Sequence, residues 1–536
     1  MLDRARQVVG SGKVLALQAP TGSGKTIFAL LVALNVTGKA LFLVRTHNQF
    51  YPVYRESKRL GKSFGFVVGK PNVCPFSSGD VESIDIDCRR CEINLATGVE
   101  FGEQPASLVS KLRQEGLANG FCPYHSLLFS SKSTEVVAMT YPYLFLPWLR
   151  ESLDFNLEEY VVIIDEAHNL DTISDLGERR LSRATLSSAM SQATSELVRN
   201  ILSKLQHKLS ALPEVGERYL LINDPPTLEA DELELLQDEY EALRAKMTEQ
   251  RKIGRNHLGS VLRFFLSLRE PGRKVFLNGG SLVSKNPDPA FQLDVLNQKT
   301  LPLILMSGTL PPLNYIQKVW GLTKDIEYLD VERALPTTVQ GKREWLLAKD
   351  VTTSFQKRSD VMWGKYASYL MRIYHVSRAN VLALVPSYEV LRKVLGRLKG
   401  INVLPEDSRT SMEDLSRAAE NGKVLILAVN RGKLSEGIEL TNGGRSLISD
   451  VALVGIPFPS PDDYSKLRAE AIAARTGVAN EELLVRIPAL IAVKQAIGRA
   501  LRNPGDSVTV WLLDKRYDSP WWKARLGAFN PRKIVL

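Results

Sequence analysis

At 536 residues and 44% hydrophobic side chains, the chain is too long for one core and reads as three or four packed domains. Lys and Arg number 69 against 59 Asp and Glu, a net charge of +10 that suits a polyanionic partner. No signal-peptide pattern or apolar run of spanning length occurs, and the only four cysteines lie between positions 74 and 122. Those facts exclude a membrane-spanning segment and a secreted disulfide scaffold, and the expected compartment is the cytoplasm.

In chain order, the first predicted strand is Val14 to Leu17 and the first helix Ile27 to Asn35, with A-P-T-G-S-G-K-T between them. Ala19, Pro20, Thr21, Gly22, Ser23 and Gly24 form a loop of small residues whose backbone N–H groups can close on a polyphosphate at the helix N-terminus. Lys25 is expected to reach the β- and γ-phosphates of ATP, and Thr26 to hold Mg²⁺. Ala19 stands where the usual pattern has glycine, and keeps the side chain small. A buried strand at Ala40 to Val44 ends in Arg45-Thr46-His47-Asn48, polar groups at the edge where parallel sheets bind ligands.

Between Gly69 and Phe129 the alternation of strand and helix stops, and the segment holds Cys74, Cys88, Cys91 and Cys122. It reads as an inserted domain. The spacing C-x13-C-x2-C-x30-C supplies four thiolates, suited to a tetrahedral zinc ion or to a cubane iron–sulfur cluster. Lys70, Phe121 and Tyr124 place a cation and two rings beside them, a mixture that suits single-stranded DNA.

Strands resume at Thr134 to Met139 and Tyr160 to Ile164, the second running into Asp165-Glu166-Ala167-His168. Asp165 can hold the Mg²⁺ of ATP, and Glu166 can polarise the attacking water. From Asp175 to Asn297 two apolar stripes, Val198 to Leu209 and Leu233 to Met247, predict an all-helical inserted domain. Leu303 to Met306 restores a strand that leads into Ser307-Gly308-Thr309. A second α/β lobe follows, with strands expected at Val381 to Val385, Val424 to Val429, Val451 to Ile456 and Val508 to Leu513. It carries the segment from Arg431 to Glu439 and the run Q-A-I-G-R-A-L-R, in which Gln495, Arg499 and Arg502 share one helix face.

With these motifs in this order, the chain resembles the xeroderma pigmentosum group D (XPD) family of superfamily 2 helicases, most closely its archaeal members. The resemblance implies an α/β fold of two RecA-like parallel-sheet lobes with an inserted iron–sulfur domain and an inserted helical Arch domain. Its boundaries divide the first lobe into 1–70, 130–175 and 299–320, with the cluster domain at 71–129, the Arch at 176–298 and the second lobe at 321–536. It implies a monomeric ATP-dependent motor that moves 5'-to-3' on single-stranded and forked DNA and unwinds duplex in nucleotide excision repair.

By the same resemblance the cysteines hold a 4Fe-4S cluster, with zinc as the alternative, and Glu166 is the catalytic base. Arg499 and Arg502 become arginine fingers, Gln495 senses closure, and Glu439, where the family often has aspartate, belongs to the ATP site. Arg45, Thr46 and His47 would lie on DNA opposite Lys433, Ser435 and Glu436, and His168 would link the ATP site to Ser307 and Thr309. The family's adenine-contacting segment lies upstream of where this chain begins. An RNA or RNA–DNA helicase, or a hydrolysis-impaired scaffold, is the rival expectation.

Overall fold

The computed structural model describes all of the chain except residues 21, 78–85, 94, 214, 252–253, 335–340, 408–409, 411, 431, 433–439, 443–444, 479, 502 and 504. Through the first part of the chain the strands are β1 (Val14–Gln18), β2 (Ala40–Val44), β3 (Phe64–Phe66), β4 (Val136–Thr140) and β5 (Val161–Asp165). Next come β6 (Arg179–Ser182), β7 (Leu220–Leu221), β8 (Lys274–Asn278), β9 (Ser281–Lys285), β10 (Leu303–Ser307) and β11 (Ile326–Asp330). The second part holds β12 (Lys342–Ala348), β13 (Asn380–Val385), β14 (Val403–Pro405), β15 (Leu425–Val429), β16 (Thr441–Asn442), β17 (Arg445–Ser446), β18 (Ile448–Val454), β19 (Ser507–Leu513) and β20 (Arg532–Ile534).

Among the described residues two seven-stranded sheets form the two lobes, in the orders β11-β1-β10-β5-β2-β4-β3 and β14-β15-β13-β18-β19-β12-β20, with every pairing parallel. Helices cover both faces, so the central strands are apolar runs buried along their whole length, as in β1, β2 and β10. Because the strands of the first sheet run the same way, β1, β2, β5 and β10 deliver the glycine loop, Arg45, Asp165-Glu166 and Ser307 to one edge.

The insertion after residue 175 is not all helical. Its helices bury Val198, Ile201, Leu202, Leu205, Leu209, Leu233 and Leu236 as the stripes require, but they pack against an antiparallel sheet, β6-β9-β8-β7. The β8–β9 hairpin turns on Gly279 and Gly280, both at positive φ (55° and 74°), the conformation a two-residue hairpin loop demands. The Lys, Ser and Asn residues in these strands weaken their apolar alternation.

The expected start of the second lobe at 321 also shifts. Strand β11 pairs with β1 at the edge of the first sheet, and its half-buried I-E-Y-L-D sequence carries no strong strand pattern. The helix Asp463–Thr476 likewise leaves the second sheet. Its Ile472, with Leu483, Ile487 and Ile491 beyond it, joins the first lobe's core, and its Arg468 pairs with buried Asp171 at 2.7 Å. The same helix touches the insertion, where Asp463 accepts the Leu221 N–H at 2.8 Å.

At its other end the insertion reaches the cysteine segment. From the helix Ala230–Glu249, Arg244 donates to the Ile86 carbonyl (2.8 Å) and Thr248 accepts the Asp87 N–H (3.0 Å), while Arg251 forms a bidentate pair with Glu92 at 2.7 and 2.8 Å. First lobe, cysteine segment and insertion therefore form a closed circuit of chain and contact.

Candidate functional site

The glycine loop turns at Gly22 and Gly24, both at φ 80°, and Gly24 caps the helix Lys25–Val36 in the left-handed region. Ser23 Oγ donates to the Pro20 carbonyl (2.7 Å), and the Ala19 N–H donates to Ser307 O (3.0 Å), which ties the loop to the end of β10. Lys25 extends from the helix start to the carboxyl end of β5. Its Nζ lies 2.5 Å from Glu166 Oε1 and 3.7 Å from Asp165 Oδ1, so its ammonium bridges both acids.

Glu166 turns out of the strand at φ 49°, an uncommon value for a side chain of its size, and its N–H donates to Asp165 Oδ1 at 2.9 Å. Tyr141, which no motif in the sequence singles out, donates its hydroxyl to the carbonyls of Asp165 and Glu166 and fixes this turn. Ser307 Oγ donates to Glu166 Oε2 (3.2 Å) and lies 2.7 Å from His168 Nδ1, with Thr309 Oγ1 3.4 Å from the same nitrogen. Lysine, two carboxylates, imidazole and two hydroxyls thus form one connected network across three strand ends.

Burial pushes the Asp165 carboxyl up to about 6, against the pull of Lys25. Glu166 is also desolvated, yet Lys25 and the His168 contact hold it well below the usual carboxylate range. The pair is thereby split: the carboxylate beside the imidazole stays ionised and is paired with the ammonium of Lys25. Burial lowers His168, although Glu166 partly offsets it.

The network opens on a cleft of about 2090 Å³, larger than the roughly 300–1,000 Å³ of ordinary small-ligand pockets, because it continues between the lobes. Gln495 and Arg499 line its far wall from the helix Ile487–Arg499, whose Ile487 and Ile491 join the first core while Ala489, Leu490 and Val493 join the second lobe's. Arg45 and Thr46 lie on the near wall, where Gln49 Oε1 accepts both their N–H groups (2.9 and 3.0 Å) and Arg45 reaches Asn169 at 3.1 Å. His47 is half-buried, its ring 5.4 Å from that of Phe50. Thr21, Lys433, Ser435, Glu436, Glu439 and Arg502 lie outside the described residues.

The four cysteines line one small pocket with Ile86, Ile93 and Phe76. Cys74 ends the short helix Lys70–Val73, Cys88 opens the turn Cys88–Arg90, Cys91 closes it, and Cys122 caps the helix Pro123–Ser131. Among the described residues no three His, Cys, Asp or Glu side chains already stand as a metal-binding group; the sulfurs ring the pocket instead. Backbone N–H groups point at them, from Phe76 to Cys74, Ile93 to Cys91, and Tyr124 and His125 to Cys122. Burial pushes Cys74 up to about 11 and also raises Cys91 and Cys122, so thiolates form here only when a bound cation compensates them. An all-sulfur donor set with N–H groups aimed at it fits an iron–sulfur cluster.

Tyr124 is turned inward. It is 5% exposed, its hydroxyl meets Tyr143, and Lys70 lies over the ring at 5.2 Å, so little of it is left to stack on a base. Phe121 is half-buried and packs against the first core. Both aromatics flank Cys122 in the sequence and turn inward with it.

Comparisons with known proteins agree with this architecture. A helicase C-terminal domain model matches residues 370–531, and the DEAD_2 model matches residues 80–186. The chain is 46% identical over 540 residues to a protein of Sulfolobus acidocaldarius described as ATP-dependent DNA helicase XPD, covering all of this chain and 98% of that one. A solved structure titled XPD_Helicase superposes with a TM-score of 0.95 at 46% identity, covering 100% and 98% of the two chains. Another, XPD_APO, gives 0.83 at 42%, covering 100% and 99%. Among the described residues no helix is long and apolar enough to cross a membrane.

Proposed function

The chain belongs to the XPD family of ATP-dependent DNA helicases, and we propose that its two lobes drive 5'-to-3' movement along single-stranded DNA by closing on ATP. With ATP bound, Lys25 would leave the carboxylates for the β- and γ-phosphates, Thr26 and Asp165 would hold Mg²⁺, which neutralises phosphate charge, and Glu166, freed and ionised, would polarise the attacking water. Gln495 and Arg499 lie across the cleft from that network, so they meet the transferring phosphoryl only when the lobes approach. Arg502 and Glu439 are read as further members of the site. The single observation that carries the reading is the Lys25–Glu166–Ser307–His168 network facing a helix of the second lobe across one cleft.

We read the circuit of first lobe, cysteine segment and insertion as the ring through which one DNA strand passes. Arg45 and Thr46 of the first lobe, with Lys433, Ser435 and Glu436 of the second, would track its backbone. Cys74, Cys88, Cys91 and Cys122 would hold a 4Fe-4S cluster, which supplies the rigid cross-link that this loop-rich segment lacks. The segment is then the edge against which forked DNA parts, as a monomeric motor in nucleotide excision repair in the cytoplasm would need.

ATP hydrolysis measured with single-stranded DNA, with RNA and with neither tests the reading. Strong stimulation by DNA alone is expected. Equal stimulation by RNA would move the substrate, and no hydrolysis under any condition would make the chain a scaffold.

A further inference from the structure

Phe355 is 71% exposed, unusual for a phenylalanine in a tightly seated loop. It opens the single turn Phe355–Lys357 beyond the carboxyl end of β12, the edge at which a parallel sheet presents its ligand-binding loops. The loop is anchored from below. Asp514, fully buried, accepts the Thr353 N–H at 2.9 Å and the Thr352 hydroxyl at 3.2 Å, and forms a 2.7 Å pair with Arg516. A Cβ added at Gly455 would come within 2.3 Å of Thr353, so the loop rests directly on that backbone. The exposure of the ring is thus imposed by a rigid support.

Cations surround the ring. The guanidinium of Arg358, held by the Thr353 carbonyl (3.2 Å) and Glu389 (3.4 Å), lies 5.5 Å from the ring centroid. That of Arg218 comes from the inserted domain and lies at 5.9 Å. Lys357 in the same turn is exposed, and Lys515, whose N–H donates to the Val351 carbonyl at 3.0 Å at the foot of the loop, brings a second exposed ammonium near it, a proximity that lowers the Lys515 pKa. Two like charges held together at a surface are relieved by an anion between them. One ring with two guanidiniums against it is too small and too charged for an apolar protein interface, whereas a π-face flanked by cations matches a base flanked by phosphates.

We propose that Phe355 is a stacking platform for a base of single-stranded nucleic acid, with Arg218 and Arg358 beside the ring and Lys357 and Lys515 on adjacent phosphates. The site rests on the helicase reading above, and it adds a contact shared by the second lobe and the insertion, so a strand held there reports the position of one relative to the other.

The test is fluorescence anisotropy of a labelled oligothymidylate on the full chain, with Phe355→Ala, Phe355→Trp and Lys515→Ala, beside a matching abasic strand. Phe355→Ala should weaken oligothymidylate about tenfold and leave the abasic strand unchanged, while Phe355→Trp restores binding. Lys515→Ala should weaken both strands and reduce the salt slope by about one. Basal ATPase and thermal unfolding of Phe355→Ala should match the parent, since an exposed ring has no packing role. Parent-like oligothymidylate binding by Phe355→Ala, or an equal loss on the abasic strand, overturns the proposal. A parent chain that binds no oligothymidylate would overturn the helicase reading itself.

Discussion

The Lys25 network at the first lobe's strand ends and the cysteine pocket of the inserted segment are built on opposite principles. In the cleft, charges meet charges: Lys25 lies between Asp165 and Glu166, and Ser307 and His168 complete the bonding of Glu166, all delivered by strand ends fixed in the sheet. The pocket has four thiols in apolar surroundings, with burial pushing Cys74, Cys91 and Cys122 toward their neutral forms. One site is preorganised by its own chain. The other, on the reading proposed above, would be organised by a bound metal, so damage to it should stay local.

Experiments that separate the two sites sharpen this contrast. The largest effect is expected from Arg499→Ala, which should cut DNA-stimulated turnover about a thousandfold while leaving ATP binding intact, because the guanidinium acts only in the closed state. Equal loss of binding and turnover, read from nucleotide titrations beside steady-state rates, would instead make it a ground-state contact. Glu166→Gln should lower single-turnover hydrolysis by about two to three orders of magnitude and leave ATP bound. Hydrolysis at the parent rate would remove Glu166 as the base.

Cys88→Ser and Cys122→Ser probe the other side of the contrast. Visible absorption and bound iron should disappear and duplex unwinding should fall below detection, while basal ATPase stays within about twofold of the parent because both lobes have cores of their own. Full unwinding by a metal-free variant would detach the segment from the mechanism. Finally, Ser307→Ala removes a hydroxyl that the Glu166 carboxylate and the Thr309 N–H both use. A loss of about 1–3 kcal/mol is expected from the groups left unpaired, read as a lower urea midpoint for the first lobe's transition. An unchanged midpoint would mean that the network is not preorganised.

Much of the cleft was legible because its chemistry is local in sequence. A glycine loop between strand and helix, and D-E-A-H after an apolar run, specify both the residues and the strand ends that carry them. Tyr141 was not legible: it donates to the carbonyls of Asp165 and Glu166 from the end of β4, across β2 in the sheet, and no spacing announces that. Nor was Phe355, whose exposure follows from a loop seated on Gly455 and Asp514, about a hundred and more residues downstream.

By itself, then, the sequence determined two parallel-sheet lobes, the ATP-site residues at their strand ends, and four cysteines grouped for one site, because apolar runs and motif spacing act over a few residues. Tertiary structure decided the rest. It assigned β11 and the helix Asp463–Thr476 to the first lobe, gave the insertion an antiparallel sheet, and turned Tyr124 inward while leaving Phe355 outside. Edge strands and amphipathic helices carry half-polar patterns that fit more than one neighbour. Which neighbour they join depends on the apolar surface that distant segments bring to them, and that exists only once the chain has folded.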